Sequence, residues 1–327
     1  MSRIMLSCSI SDRALLMLPK RCPDCKDLQT MKPMNPWQKQ SLAMLTVGVM
    51  AMGNVMTPSI ARATTAANLT KSADSIEIFV PPPERQTSGV CPDLLGLYID
   101  SIINRPNLAG GKWGIVVESV SNPAISYSHN ANQFLIPASN NKLFTTAAAL
   151  QRLDSRALIQ SKSLDEWVTV TNQRSSNSYA DSLLRYIGGP SAVKQTLAPL
   201  GVDPNSFRQV DGSGLSRQNV ATPQALIATL KAMMYAKGND LFYRSLPVAG
   251  VNGTLRNRLR LPETQGRIRA KTGTLRGVRS LSGYLEHPYY GTILFSIMVN
   301  QPSQSGQVLV GAIDEITLRL AQLTPCQ

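Results

Sequence analysis

Residues 291–300 (GTILFSIMVN) are the feature that most restricts the fold of this chain, because they are apolar at nearly every position. A continuous apolar run of this length is typical of a strand that is buried on both faces. We therefore predict a central strand at 291–299 and a further strand of the same sheet at 278–285.

Both ends of the folded region contribute further elements. The spacing of apolar residues predicts amphipathic helices at 91–104 and 309–323. Residues 113–120 (WGIVVESV) are rich in β-forming side chains. A turn at Asn122-Pro123 then allows residues 124–127 to return as a second strand of a hairpin.

The middle of the chain is predicted to be mainly helical. Residues 139–153 and 223–236 have helical patterns. Residues 165–184 are helical in pieces, with an irregular centre at 174–177.

This order of elements indicates a mixed α/β fold in which the sheet is antiparallel (α+β). An antiparallel sheet flanked by helices is assembled from residues 91–130 and 265–325, with a helical subdomain at 139–245 between them. The hydrophobic fraction of 43% is sufficient for a core of this size and excludes a wholly disordered chain.

The N-terminal segment has the features of a secretory signal peptide. Residues 41–52 form a short apolar run after Lys32 and Lys39, and Ala61-Arg62-Ala63 offers a small-residue cleavage site. An uncleaved membrane anchor and a buried helix are the alternatives. A cleaved signal predicts a periplasmic or other extracytoplasmic location.

Three regions follow from this interpretation. Residues 1–63 are an N-terminal extension with the signal peptide, and residues 64–90 are a polar linker punctuated by consecutive prolines. Residues 91–325 form the folded domain.

The five cysteines divide between these regions. Cys22 and Cys25 have the spacing of half a zinc site, but no second half follows, so we predict no metal. Cys8 lies in the same N-terminal region. Cys91 and Cys326 lie near the two ends of the domain, and an even pair in an exported protein suggests a disulfide. Two free thiols are the alternative.

The formal net charge of +13 raises nucleic acid, an acidic polymer or a membrane surface as partners. Eight basic residues fall between Arg256 and Arg279, against Glu263 alone. Few aromatic residues accompany them in a chain predicted to be exported, which argues against nucleic acid. We interpret Lys271 as functional and most of the arginines as surface or structural residues.

A serine and a lysine offer a candidate nucleophile and base. The two histidines, His129 and His287, end predicted strands without evident partners, which argues against a Ser-His-Asp triad. Ser139 and Lys142 are three positions apart in PASNNK and share one face of a helix. A neutral lysine there can accept the hydroxyl proton. The alternative is a helix-capping serine beside a solvated lysine.

Two further motifs strengthen this hypothesis. Ser175-Ser176-Asn177 is an S-x-N triplet, and Lys271-Thr272-Gly273 is a K-T-G triplet that precedes a predicted strand. S-x-x-K, S-x-N and K-T-G in this order are the active-site elements of penicillin-recognising serine enzymes. The turn at Asp211–Gly214 is predicted to lie near them. Asp211 is expected to hold local hydrogen bonds there, and a catalytic part for Ser213 stays open.

Five segments resemble the DacB-like D-alanyl-D-alanine carboxypeptidase/endopeptidase family, the class C low-molecular-mass penicillin-binding proteins. They are PASNNK (137–142), TNQRSSNSYADSLLR (171–185), VDGSGLSRQN (210–219), LPVAGVNGTLRNRLR (246–260) and RAKTGTLRGVRSLSGY (269–284). The resemblance implies the penicillin-recognising serine transpeptidase/β-lactamase-like fold. It also implies that the first and last helices of the domain pack side by side, which would bring Cys91 near Cys326.

The resemblance implies a serine-type D-Ala-D-Ala carboxypeptidase or endopeptidase that cleaves peptidoglycan stem peptides through an acyl-enzyme. β-Lactams would be covalent inhibitors, no cofactor would be needed, and a membrane would be met only through an uncleaved signal. Ser139 is the implied nucleophile and Lys142 its base. Ser175 and Asn177 are implied to relay protons and to hold the substrate amide.

The K-T-G segment is implied to bind the rest of the substrate. Lys271 and Thr272 would take the terminal carboxylate of D-Ala-D-Ala or of a β-lactam. Gly273 would let the peptide lie close to the strand edge. The N–H groups of Ser139 and Thr274 would form the oxyanion hole.

The sequence departs from the family at one point. The family usually carries a large accessory insertion between S-x-x-K and S-x-N, whereas Ser139 and Ser175 are only 36 positions apart here. The chain is therefore either a minimal member or a catalytically disabled peptidoglycan-binding remnant. A β-lactamase of the same fold is a further alternative, but Glu166 lacks a matching loop pattern for priming the deacylating water.

Overall fold

The chain divides into two units, Met1–Ile78 and Phe79–Gln327. The computed structural model describes residues 89–326, which belong to the second unit. The predicted signal peptide, the cysteines that precede it and nearly all of the linker lie outside the described residues. No helix within 89–326 is both long enough and apolar enough to cross a membrane.

The described residues form one five-stranded sheet, two small two-stranded sheets and eight α-helices. The strands are β1 (Lys112–Ser119), β2 (Ser126–His129), β3 (Leu158–Ile159), β4 (Lys162–Ser163), β5 (Phe207–Arg208), β6 (Val220–Ala221), β7 (Ile268–Leu275), β8 (Val278–His287) and β9 (Gly291–Asn300). The α-helices are α1 (Leu95–Ile103), α2 (Asn141–Arg152), α3 (Leu164–Gln173), α4 (Asn177–Tyr186), α5 (Gly189–Leu197), α6 (Pro223–Ala232), α7 (Asn239–Ser245) and α8 (Gly306–Ala321).

The main sheet is antiparallel with the strand order β2-β1-β9-β8-β7. β9 is its central strand, as predicted, and both of its faces are buried. Ile293, Phe295 and Ile297 belong to the core under α1 and α8, whereas Leu294 and Met298 belong to the core under the helical subdomain. The apolar run at 291–300 therefore reflects a helical layer on each side of the sheet.

The two chain ends of the domain are fastened together. α1 packs against α8, and the backbone N–H of Val90 donates to the carbonyl of Gln322 at 2.9 Å. Cys91 and Cys326 form a disulfide with their Cα atoms 4.9 Å apart, which confirms the predicted pair.

Two parts of the chain differ from the prediction. The helix expected from Ser139 begins at Asn141, because residues Ala138–Asn140 form a 3-10 turn instead. The K-T-G triplet precedes β8, as expected, but it lies in a strand of its own, β7, which the apolar pattern did not predict. β7 is an edge strand, and such a strand can carry polar residues that hide the apolar alternation of a buried one.

A short connection joins the first two motifs. After α2 the chain forms the β3–β4 hairpin and then α3, which ends just before Ser175. The hairpin turns through Gln160 and Ser161, both with positive φ, as a tight two-residue turn requires. The indole N–H of Trp167 donates to the carbonyl of Ile159 at 2.8 Å and fixes the hairpin to α3. The 36 positions are thus enough to bring the chain back to the helical subdomain.

Replacing both Cys91 and Cys326 by Ser should lower the stability of the domain by about 3–5 kcal/mol. The bridge spans 235 positions, and a closed loop of this size removes much entropy from the unfolded chain. Denaturant unfolding of the variant and the wild type measures the difference. Peptide mapping without reduction is the direct check, and alkylation of both thiols before any reduction would contradict the bridge.

Candidate active site

Ser139 sits in the 3-10 turn before α2, and hydrogen bonds from β8 hold this turn in place. The Ser280 hydroxyl donates to the carbonyl of Pro137 at 2.8 Å, and the Asn140 side-chain amide donates to Ser282 Oγ at 2.7 Å. Ala138 has a left-handed backbone with φ of 47°. Such a conformation is costly for alanine and persists only where the surroundings enforce it.

Lys142 is fully buried, and its ammonium group joins the S-x-x-K motif to Asn177 of the S-x-N motif and to the Asp211–Gly214 turn. Its Nζ donates to Ser139 Oγ at 2.9 Å, to Asn177 Oδ1 at 2.8 Å and to the carbonyl of Ser213 at 2.5 Å. The predicted pair therefore shares one hydrogen bond, and the lysine is not the solvated residue of the alternative interpretation.

The burial of Lys142 lowers its pKa to about 8, because the charged form loses hydration. The nearby carboxylates of Asp181 and Asp211 oppose this change but do not cancel it. A substantial fraction of the lysine is therefore neutral near physiological pH, which is the form that can take a proton from a hydroxyl.

A second buried lysine lies on the other side of the site. Lys271 Nζ donates to Ser175 Oγ at 2.8 Å and to the carbonyl of Thr272 at 3.0 Å. Burial, and then the charge of Lys142, lower the pKa of Lys271 well below its ordinary value. Ser175 has φ of 57°, so a second strained residue lies directly at the site.

The outer edge of β7 provides backbone groups beside these side chains. The N–H of Ala270 donates to the carbonyl of Pro247. The backbone N–H and C=O groups of the even-numbered residues of β7 therefore point away from β8. By the alternation of an antiparallel strand, Thr272 and Thr274 also direct their backbone groups outward. This edge can pair with an extended peptide.

Gly273 is required for the contact between β7 and the Ser139 turn. A Cβ at this position would lie 2.0 Å from Ser280 Oγ and 2.6 Å from the carbonyl oxygen of Pro137. Any side chain would therefore push the strand and the turn apart. This requirement is separate from the substrate approach that the resemblance implied for Gly273.

The Asp211–Gly214 turn lies at the site, as predicted. The Asp211 carboxylate accepts from the backbone N–H groups of Gly214 at 2.6 Å and Ser216 at 2.7 Å and from the Asn219 side-chain amide at 3.1 Å. These hydrogen bonds lower its pKa, although burial alone would raise it. The turn in this way presents the Ser213 carbonyl to Lys142.

Sequence reasoning missed some of these groups. Ser213 contributes its carbonyl to Lys142, while its hydroxyl donates to Asp211 at 3.1 Å. The Thr254 and Thr272 hydroxyls share a 2.7 Å hydrogen bond. A backbone carbonyl has no sequence signal. The contact between Thr254 and Thr272 depends on how the loop that contains Thr254 packs against β7. In the sequence, this loop was marked only by the family resemblance of residues 246–260.

The basic segment has mixed roles. Arg258 pairs with Asp314 at 2.6 Å, and Arg279 donates to the carbonyl of Leu275 at 2.7 Å, so both are structural. His129 and His287 end β2 and β8, and within residues 89–326 the hydrogen-bonded cluster around Ser139 contains neither of them.

The profile of the D-Ala-D-Ala carboxypeptidase 3 (S13) family matches residues 96–159 and 155–323, which is most of the chain. The chain belongs to this family. The two matched segments meet at the β3–β4 hairpin. This hairpin lies between S-x-x-K and S-x-N, where the accessory insertion was expected to be missing.

Curated proteins with similar sequences support this family assignment. A D-alanyl-D-alanine carboxypeptidase of Actinomadura sp. (strain R39) is 38% identical over 164 residues, covering 45% of this chain and 30% of the relative. The D-alanyl-D-alanine carboxypeptidase DacB of Haemophilus influenzae is 31% identical over 156 residues, covering 43% of this chain and 32% of the relative. The chain thus spans about a third of the length of the curated relatives it matches.

Solved structures share the fold. Penicillin binding protein 4 (dacB) of Haemophilus influenzae, in complex with a β-lactam, has a TM-score of 0.60 at 16% identity, covering 68% of this chain and 99% of that one. The β-lactamase of Streptomyces albus G has a TM-score of 0.58 at 20% identity, covering 70% of this chain and 99% of that one. The domain therefore has the α+β fold of penicillin-binding proteins and β-lactamases, as predicted.

Gly273→Ala should lower the stability of the domain by about 1–3 kcal/mol, because the new Cβ overlaps Ser280 Oγ and the Pro137 carbonyl. Denaturant unfolding measures the change. Gly311→Ala is the matched control, since its Cβ on α8 meets no atom within 4 Å. The control should raise stability by about 0.5–1 kcal/mol. Equal effects of the two variants would contradict the packing role of Gly273.

Proposed function

We propose that this protein is a serine-type D-Ala-D-Ala carboxypeptidase or endopeptidase that acts on peptidoglycan stem peptides through an acyl-enzyme. The observation that carries the proposal is the buried contact between Lys142 Nζ and Ser139 Oγ, 2.9 Å long, in a lysine whose pKa is lowered to about 8. A nucleophile and a neutral base within hydrogen-bond distance are what serine acylation requires. Membership of the S13 family gives independent support.

Ser139 and Lys142 carry the first half of the reaction. Neutral Lys142 takes the hydroxyl proton as Ser139 Oγ attacks the carbonyl carbon of the penultimate D-alanine. The backbone N–H groups of Ser139 and Thr274 hold the negative oxygen of the tetrahedral intermediate. Its collapse breaks the peptide bond, and the leaving amine receives a proton through Ser175. Water then hydrolyses the ester and restores the Ser139 hydroxyl.

Lys271, Thr272 and Asn177 orient the substrate in this proposal. The carboxylate of the terminal D-alanine lies at Lys271 and Thr272, where an anion stabilises the charged form of the buried lysine. Asn177 holds the substrate amide, and the outward backbone groups of β7 pair with the peptide. β-Lactams would use the same contacts and acylate Ser139 as inhibitors.

A β-lactamase function is less well supported than a peptidase function. Rapid deacylation needs a group that activates water beside the ester. Glu166 lies in the first turn of α3, whereas Ser175 follows the other end of this helix, and Glu166 pairs with Lys162. A ten-residue helix is about 15 Å long, so this carboxylate is remote from the ester.

We also propose that the domain works outside the cytoplasm. The disulfide between Cys91 and Cys326 supports an oxidising compartment. In this proposal residues 1–63 direct export, residues 64–90 are a linker, and residues 91–325 act on the cell wall.

Ser139→Ala should abolish covalent labelling by a fluorescent penicillin and the release of D-alanine, because the acyl-enzyme forms on Ser139 Oγ. Gel fluorescence after a timed incubation measures the labelling. Ser101→Ala is the control, since Ser101 is an exposed residue of α1 and this variant should label like the wild type. Labelling of the Ser139 variant at the wild-type rate would contradict the assignment.

The acylation rate should rise as the pH increases through about 8 and then level off, because the neutral fraction of Lys142 grows over that range. Stopped-flow or timed labelling between pH 6 and 10 measures this profile. Lys142→Ala should be slower than the wild type by a factor of about 10²–10⁴. Lys142→Arg should be comparably slow, because arginine stays charged. A profile without pH dependence would contradict the role of Lys142 as the base.

A further inference from the structure

A polar cavity of about 540 Å³ opens beside the catalytic cluster, where the loop after α7 passes the end of α3. Two arginines and several amide or hydroxyl groups form its walls, and no carboxylate lines it. Its lining residues are Gln173, Arg174, Asn252, Gly253, Thr254, Arg256 and Asn257.

Arg174 and Arg256 give this cavity its character. Within residues 89–326 neither guanidinium pairs with an acidic side chain, whereas Arg244 and Arg258 each do. Two exposed arginines on one concave wall, without a carboxylate between them, attract an anion of matching geometry.

The cavity adjoins the K-T-G end of the site. The hydroxyl of Thr254, on the cavity wall, lies 2.7 Å from that of Thr272. Arg174 directly precedes Ser175, which accepts from Lys271. Gly253 has φ of 55°, and a Cβ there would lie 2.6 Å from the Gln173 carbonyl. The loop is therefore held tightly against α3.

We propose that this cavity is a subsite for the side chain of the leaving amino acid and prefers a side chain that ends in a second carboxylate. This deepens the proposed function and rests on it. Lys271 and Thr272 hold the α-carboxylate of the leaving residue. The cavity, which lies beyond Thr272, is therefore on the leaving-group side of the scissile bond. A longer leaving group then directs its own anion between Arg174 and Arg256.

The substrate class follows from this position. D-Alanine, with a methyl side chain, leaves the subsite empty. An acyl-D-alanyl peptide whose leaving residue bears an anionic chain fills it. The subsite therefore favours peptides whose leaving residue carries an anionic side chain over peptides that end in D-alanine.

Matched peptides test the preference. Three substrates share one acyl part and end in D-Ala-D-Ala, D-Ala-D-Glu or D-Ala-D-Gln, and the kcat/KM for release of the last residue is measured at low salt. The wild type should favour D-Glu over the isosteric D-Gln by about tenfold, as one charge-assisted contact provides. Raising the salt should reduce the preference.

Variants distinguish an effect of the cavity arginines from a general effect of positive charge in this region. Arg174→Gln and Arg256→Gln should each reduce the ratio for D-Glu over D-Gln, and the double variant should bring it close to one. Arg260→Gln is the control, because Arg260 is exposed in the same basic segment but does not line the cavity. It should keep the wild-type ratio.

The outcomes are distinguishable. Release of D-Ala from D-Ala-D-Ala without a preference for D-Glu would overturn the subsite and leave the proposed function intact. A preference that survives in the double variant, or that falls equally in the Arg260 variant, would also overturn it. No release from any peptide, together with no penicillin labelling, would overturn the proposed function and the subsite with it.

Discussion

The burial of one ammonium group, that of Lys142, is the constraint on which this site depends. A buried charge without acceptors is expensive, and a buried neutral amine still needs hydrogen-bond partners. Its three acceptors come from the turn before α2, from the start of α4 and from the Asp211–Gly214 turn. These segments must therefore converge for the domain to be stable, and their convergence is also what serine acylation requires.

A second buried lysine makes the same region electrostatically unfavourable. Lys142 lowers the pKa of Lys271, so the two amines disfavour each other's charge. The strained backbones of Ala138 and Ser175 add a further cost. The core beneath the sheet and the hydrogen bonds from β8 to the Ser139 turn offset these costs. In the proposed function, an anionic substrate near Lys271 would reduce the cost of charging this buried lysine.

The sequence predicted the central sheet well because each predicted feature has a local cause. β9 is apolar since both of its faces are covered, and the S-x-x-K spacing places two side chains on one face of a turn. β7 was predicted less well, because an edge strand at a binding site keeps its polar residues. The Ser213 carbonyl contact depends on the path of a loop between distant segments, and backbone atoms leave no residue pattern. The short α5 and α7 helices likewise depend on tertiary packing more than on propensity.

The short connection between the first two motifs explains how the site exists without a large insertion. The two segments matched by the family meet at the β3–β4 hairpin, which is held to α3 by Trp167 and lies at the far end of that helix from Ser175. The Ser139 turn is instead fixed by β8, and Lys271 is fixed within β7. The hairpin itself provides none of the three acceptors of Lys142. An accessory region attached there can be absent while the contacts around Lys142 remain, because none of their partners comes from it.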